Sequence, residues 1–127
     1  MRVPFNPHRG LIIITARLYG PGGDRAVRVA LDTGASDTVI SSQILTLIGY
    51  NPAAIPHTVR MTTGSGVQSA PRVTVDRFQS LGQARLSFPV VAHTLPAAAA
   101  IDGLLGLDFF RDQELTLDFR NGLITLQ

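Results

Sequence analysis

The sequence predicts an all-β fold. Alternating apolar and polar residues with the two-residue period of half-buried strands recur at Val27-x-Val29-x-Leu31, over residues 72–78 and over 115–119. Dense turn chemistry separates such runs, notably Gly20-Pro21-Gly22-Gly23-Asp24 and Asn121-Gly122. Helical pattern is confined to one or two short stretches, with no internal repeat and no low-complexity segment. Many short strands with little helix describe a single all-β domain.

Residues 1–10, with Pro4, Pro7, Asn6, His8 and Arg9, read as an N-terminal arm without regular structure, or as an edge strand. The domain proper spans 11–127. Residues 11–19 are rich in Ile and form a strand. The 20–24 turn leads into 25–31, where Ala and Val point inward and Arg28 outward. Residues 41–49 suit a short helix, with Ser41 or Ser42 as N-cap and Gly49 as the stop. Pro52 and Pro56 prevent its extension. Residues 58–62 and 67–70 flank Thr63-Gly64-Ser65-Gly66, which predicts a hairpin with a Gly-rich tip. A strand at 72–78, a turn at 80–83 and a strand at 84–91 follow. Pro89 places that last strand at an edge or bulge. Residues 96–100 are a linker of small residues. The apolar 101–106 stretch carries Gly103 and Gly106, and 107–110 has room for one helical turn. Strands at 115–119 and 123–126 close the chain around Asn121-Gly122, a strong hairpin signal.

Composition narrows the function. The 127 residues suffice for one modest core, and 45% hydrophobic content is ordinary for a globular chain. No apolar run approaches the roughly 18 residues of a bilayer span. No signal-peptide pattern marks the start, so a cytoplasmic location is the expectation. Cysteine is absent, which removes thiol catalysis and disulfides. All 11 basic side chains are Arg, so Schiff-base chemistry, Ser-Lys dyads and a phosphate-loop Lys are excluded. Net charge is +2 and the Arg residues are scattered, so no nucleic-acid partner is expected. His8, His57 and His93 lack metal-ligand spacing, and no metal or other cofactor is expected.

One stretch carries chemistry. The apolar strand ending at Leu31 delivers Asp32 into the turn Asp32-Thr33-Gly34-Ala35-Ser36, followed by Thr38-Val39-Ile40. A carboxylate at a strand end, held in a tight loop, has its geometry fixed by the scaffold. Gly34 permits dihedrals a Cβ forbids, and Thr33 and Ser36 supply hydroxyls. Taken alone, Asp-Thr-Gly also fits an Asx-type turn. Two further features stand at fitting separations: the Gly-rich 62–66 tip, and Leu104-Leu105-Gly106 about 70 residues after Asp32.

These motifs resemble the retropepsin-like aspartic proteases, and the resemblance covers about residues 11–126. It implies an acid-protease half-barrel with a flap hairpin, active as a C2 homodimer. In such a dimer two carboxylates around one water share a proton, the familiar instance being this protease class. With one Asp-Thr-Gly per chain, the second copy comes from a two-fold mate. The resemblance assigns catalysis to Asp32 and bracing of its loop to Thr33 and Gly34. Ala35, Ser36, Asp37 and Val39, with the tip residues Thr62, Thr63, Gly64, Ser65 and Gly66, then meet a polypeptide substrate. Leu104, Leu105 and Gly106 pack behind the loop. Many retroviral members pair an Asp at position 36 with an Arg at position 107. This chain has Ser36 and Leu107, closer to cellular and bacterial members, and strands no charge. Retroviral dimers also interleave both termini, whereas this chain ends in its own hairpin. A non-proteolytic peptide-binding or dimerisation module on the same fold is the alternative reading.

Overall fold

The computed structural model describes residues 1–56, 58–63 and 66–127, with the backbone alone at Thr62 and Thr63. The alternation seen in sequence builds the first hairpin. Strands β2 (Ile13–Gly20) and β3 (Gly23–Leu31) pair antiparallel from Ile13↔Ala30 to Gly20↔Gly23. Ile14, Ala16, Leu18, Val27 and Val29 turn inward, and the Arg residues between them face solvent. Strand β1 (Arg2–Pro4) lies in the N-terminal arm. After β3 come β4 (Val39–Ile40), helix α1 (Ser42–Leu47), β5 (Thr58–Thr63), β6 (Gly66–Ser80) and β7 (Gln83–Ala92). The chain ends with β8 (Gly103–Leu105), α2 (Leu107–Phe110), β9 (Leu115–Asp118) and β10 (Leu123–Leu126).

Seven strands form one sheet in the order β2-β3-β8-β4-β7-β6-β5, and β2 pairs β6 as well, which closes a barrel. A three-stranded sheet, β1-β10-β9, packs alongside. The barrel is filled by a core that includes Leu18, Val29, Ile40, Leu45, Val75, Leu105 and Ile124. The rings of Phe78, Phe88 and Phe109 meet there at centroid distances of 5.1–6.1 Å. Close ring pairs at such offset angles add to the burial term.

Two elements differ from their sequence reading. The expected strands 67–70 and 72–78 are one 15-residue strand, β6, running straight through Pro71. Proline is tolerated because β6 changes partner there. Pro71 is the last residue paired with β5, at Thr58, and Arg72 is the first paired with β7, at Val91. The expected N-cap hydroxyl of α1 does not cap: Ser41 Oγ donates to the Gln43 side chain (2.7 Å). Pro89 sits at an edge, because β4 reaches only Val91 and Ala92 of β7. Opposite the unbridged Ser87, the Asp76 N–H donates to the Tyr50 hydroxyl (2.8 Å), and burial pushes that phenol up from its ordinary value. Among the described residues no helix is long and apolar enough to cross a membrane.

Candidate active site

β3 carries the chain to Asp32 beside β8. The two strands run parallel with Val29↔Gly103, Ala30↔Leu104 and Leu31↔Leu105 in register. The Asp32 N–H continues this ladder by donating to the Leu105 carbonyl (2.9 Å). The loop then folds on its own carboxylate: the Gly34 N–H donates to Asp32 Oδ1 (2.9 Å), and the Ala35 N–H to the Asp32 carbonyl (3.2 Å). Local Asx-turn geometry is therefore present, and the carboxyl remains half-buried with Oδ2 unbonded among the described residues.

The loop is fastened to the segment after β8. The Leu107 N–H donates to the Ala35 carbonyl (2.8 Å). Thr38, fully buried, donates its N–H to Asp108 Oδ2 (3.0 Å) and its hydroxyl to Asp108 Oδ1 (2.6 Å). The same hydroxyl oxygen accepts from the Gly106 N–H (3.1 Å). Gly106 has to be glycine for this approach: a Cβ there would stand 2.7 Å from the Asp37 carbonyl and 2.8 Å from that of Ala35. Gly103 is equally confined, its would-be Cβ falling 2.1 Å from the Val39 carbonyl.

A cleft of about 720 Å³ opens above the loop, a size in the range of ligand sites. Asp32, Gly34, Ala35, Ser36, Asp37, Val39 and Leu104 line it, and all seven are sequence candidates. Its other lining residues were not among them: Val59, Arg60, Met61, Gln68, Val91, His93, Leu95 and Pro96. The signal for several of these was there in the strand period. Val59 and Met61 alternate on β5, and Val91 and His93 alternate along β7 and just beyond it. Asp37 is held by Arg72, whose guanidinium donates to Oδ1 at 3.1 Å. Leu105 and Gly106 lie behind the loop, with Leu105 fully buried.

The remaining candidates divide. Thr33 is exposed and absent from the cleft lining, and its hydroxyl makes no hydrogen bond among the described residues. Gly64 and Ser65 lie outside the described residues, as do the side chains of Thr62 and Thr63. Gly66 opens β6 with φ +123°, paired with Thr63. Sequence reasoning gave Thr38 and Asp108 no role, although each closely follows a motif, because their contact spans 70 residues. Among the described residues, no group of three or more His, Cys, Asp or Glu side chains gathers.

A strand-delivered Asp-Thr-Gly loop, a Gly-bearing strand behind it and a cleft above make up the candidate site, and comparison with known proteins places the chain that carries it. Residues 14–109 match the aspartyl protease family, and the chain belongs to that family. Within it the fold is retropepsin-like, as the Asp32 loop and the 104–106 signature led one to expect. A crystal structure of a retropepsin-like aspartic protease from Rickettsia conorii aligns with a TM-score of 0.73 at 18% identity, over 99% of this chain and 89% of that one. No curated protein sequence matches this chain.

Proposed function

We propose that this chain is an aspartic endopeptidase that works as a homodimer, with Asp32 and Asp32 of a second copy around one water. The observation that carries the reading is the state of the two carboxylates in the cleft. Asp32 presents a free oxygen, whereas Asp37 is already paired with Arg72. A single chain therefore offers one available carboxylate where the chemistry needs two. Two such groups at close range share a proton, and they titrate as a pair with macroscopic pKa values. The ionised member takes a proton from the water. The protonated member polarises the scissile carbonyl and then protonates the leaving amine. Val39, Val59, Met61, Val91, Leu95 and Leu104 favour apolar side chains beside the cut. The β5–β6 hairpin offers strand-like pairing to an extended peptide.

The terminal sheet supports a second copy. In an antiparallel ladder, bonded pairs alternate with unbonded ones. Glu114 and Gln127 exchange both hydrogen bonds, so the N–H and C=O groups of Leu115 and Leu117 point to the free side of β9. The same count along β1, from Met1 and Leu126, points Arg2 and Pro4 outward. Proline has no N–H, so the β1 edge is blunted while the β9 edge is complete. Pairing of β9 with β9 of a second copy uses that edge and leaves β1 in its own subunit.

The test is cleavage of an unfolded protein under acid conditions by the wild type and by Asp32→Asn, with mass in solution read by sedimentation. Cleavage that is lost in the variant, from a dimeric wild type, is the expected result. Equal cleavage by both removes Asp32 from the chemistry. A wild-type monomer that binds peptide and cleaves none supports a binding module instead.

A further inference from the structure

The loop-to-helix pair that retroviral relatives build from positions 36 and 107 is missing here. Among the described residues Ser36 reaches only its neighbour Asp37, at 3.5 Å, and Leu107 contributes a backbone N–H alone. We propose that Asp108, acting through Thr38, is a positioning residue for Asp32. The inference rests on the protease reading for its kinetic consequences and on the geometry alone for its structural ones.

Thr38 presents two donors on one side, its N–H and its O–H. The Asp108 carboxylate satisfies both, one with each oxygen. The 2.6 Å O–H···O contact has the length of a charge-assisted bond. Spending the hydroxyl proton on Asp108 leaves a lone pair of Thr38 Oγ1 for the Gly106 N–H. Gly106 follows Leu105, whose carbonyl holds the Asp32 N–H. The sequence Asp108, Thr38, Gly106, Leu105, Asp32 is thus one unbroken path of hydrogen bonds and peptide links. Thr38 has no exposed surface, so water cannot replace a lost member. Every other tie in the path is backbone, which makes these two side chains the point at which the loop is open to substitution.

The variants are Thr38→Val, Asp108→Asn and the rescue Thr38→Ser. Thr38→Val keeps the shape and removes the hydroxyl. Asp108→Asn keeps one acceptor of two. A small misplacement of a reacting group costs up to about 100-fold in rate. Both variants are expected to lower kcat about 10- to 100-fold per active site with KM changed less than about threefold, and Thr38→Ser to restore kcat within about threefold. The pH–rate bell of Thr38→Val should narrow. Carboxylates held farther apart repel less, so their two apparent pKa values draw together. Amide exchange at Gly34, whose N–H is bonded to the Asp32 carboxylate, should quicken in both variants and recover in Thr38→Ser. A lowered melting temperature with unchanged kcat, bell width and Gly34 exchange would overturn the proposal and leave Thr38 and Asp108 as stability residues. Should the wild type and Asp32→Asn both fail to cleave, the protease reading falls, and Gly34 exchange alone decides the positioning.

Discussion

Two apolar clusters of very different size support the molecule. The large one fills the barrel and joins the Phe78–Phe88–Phe109 rings to residues from both sheets and both helices. The small one has three buried members, Val39, Ala70 and Val91, with Val59, Met61 and Leu104 resting on them. All of these but Ala70 line the cleft. One cluster holds the fold, and the other is the floor on which substrate is proposed to lie. The cleft thus has a side chain layer of its own, separable from the core that keeps Asp32 in place.

Substitutions that treat the two clusters differently test this separation. Phe78→Ala should cost the most, about 3–5 kcal/mol in denaturant unfolding, because it empties a fully buried ring site. Cleavage per folded molecule should stay near wild type. Val91→Ala should cost about 1–2 kcal/mol, yet raise KM for an apolar peptide more than Phe78→Ala does. If its unfolding cost matches that of Phe78→Ala, the clusters are one unit. Arg72→Gln releases Asp37 at the cleft rim and should move stability by less than about 1 kcal/mol, since both partners are partly solvated. Its signature belongs in peptide selectivity, read with substrates that differ in charge beside the cut.

The smallest effect is expected on the exposed side of the β9–β10 turn. Hydrogen bonds from the Asn121 side chain and N–H hold the Asp118 carboxyl below its ordinary value. A depressed carboxylate stabilises the fold above its unfolded pKa and loses that contribution as pH falls through the folded one. Asp118→Asn should therefore be slightly less stable than wild type at neutral pH, with the gap closing in strong acid. A gap that widens on acidification would contradict the assignment.

Much of this was legible in the chain because it is local. The two-residue period marked β3, the 72–78 part of β6 and β9, and Asn121-Gly122 marked the turn from β9 into β10. The Asp32 loop and Leu104-Leu105-Gly106 marked the candidate site because both are contiguous. What escaped depends on contacts between distant segments. Pro71 reads as a strand break until β6 is seen to change partners there. Thr38 and Asp108 look like filler beside their motifs, and gain meaning only when β8 lies against the loop. Val91 lies in β7 and His93 just beyond it, and their face toward the cleft is set by pairing with β4.

The parallel pairing of β3 with β8 also orders events during synthesis. Asp32 leaves the ribosome well before its supports: Leu105, which holds its backbone, and Asp108, which holds Thr38, emerge more than 70 residues later. Contacts of such long sequence separation form slowly, since a large loop must close first. A nascent chain extending only to Val91 carries the aspartate on a hairpin with none of these ties. The competence of the proposed half-site is thereby withheld until β8 and α2 have been made.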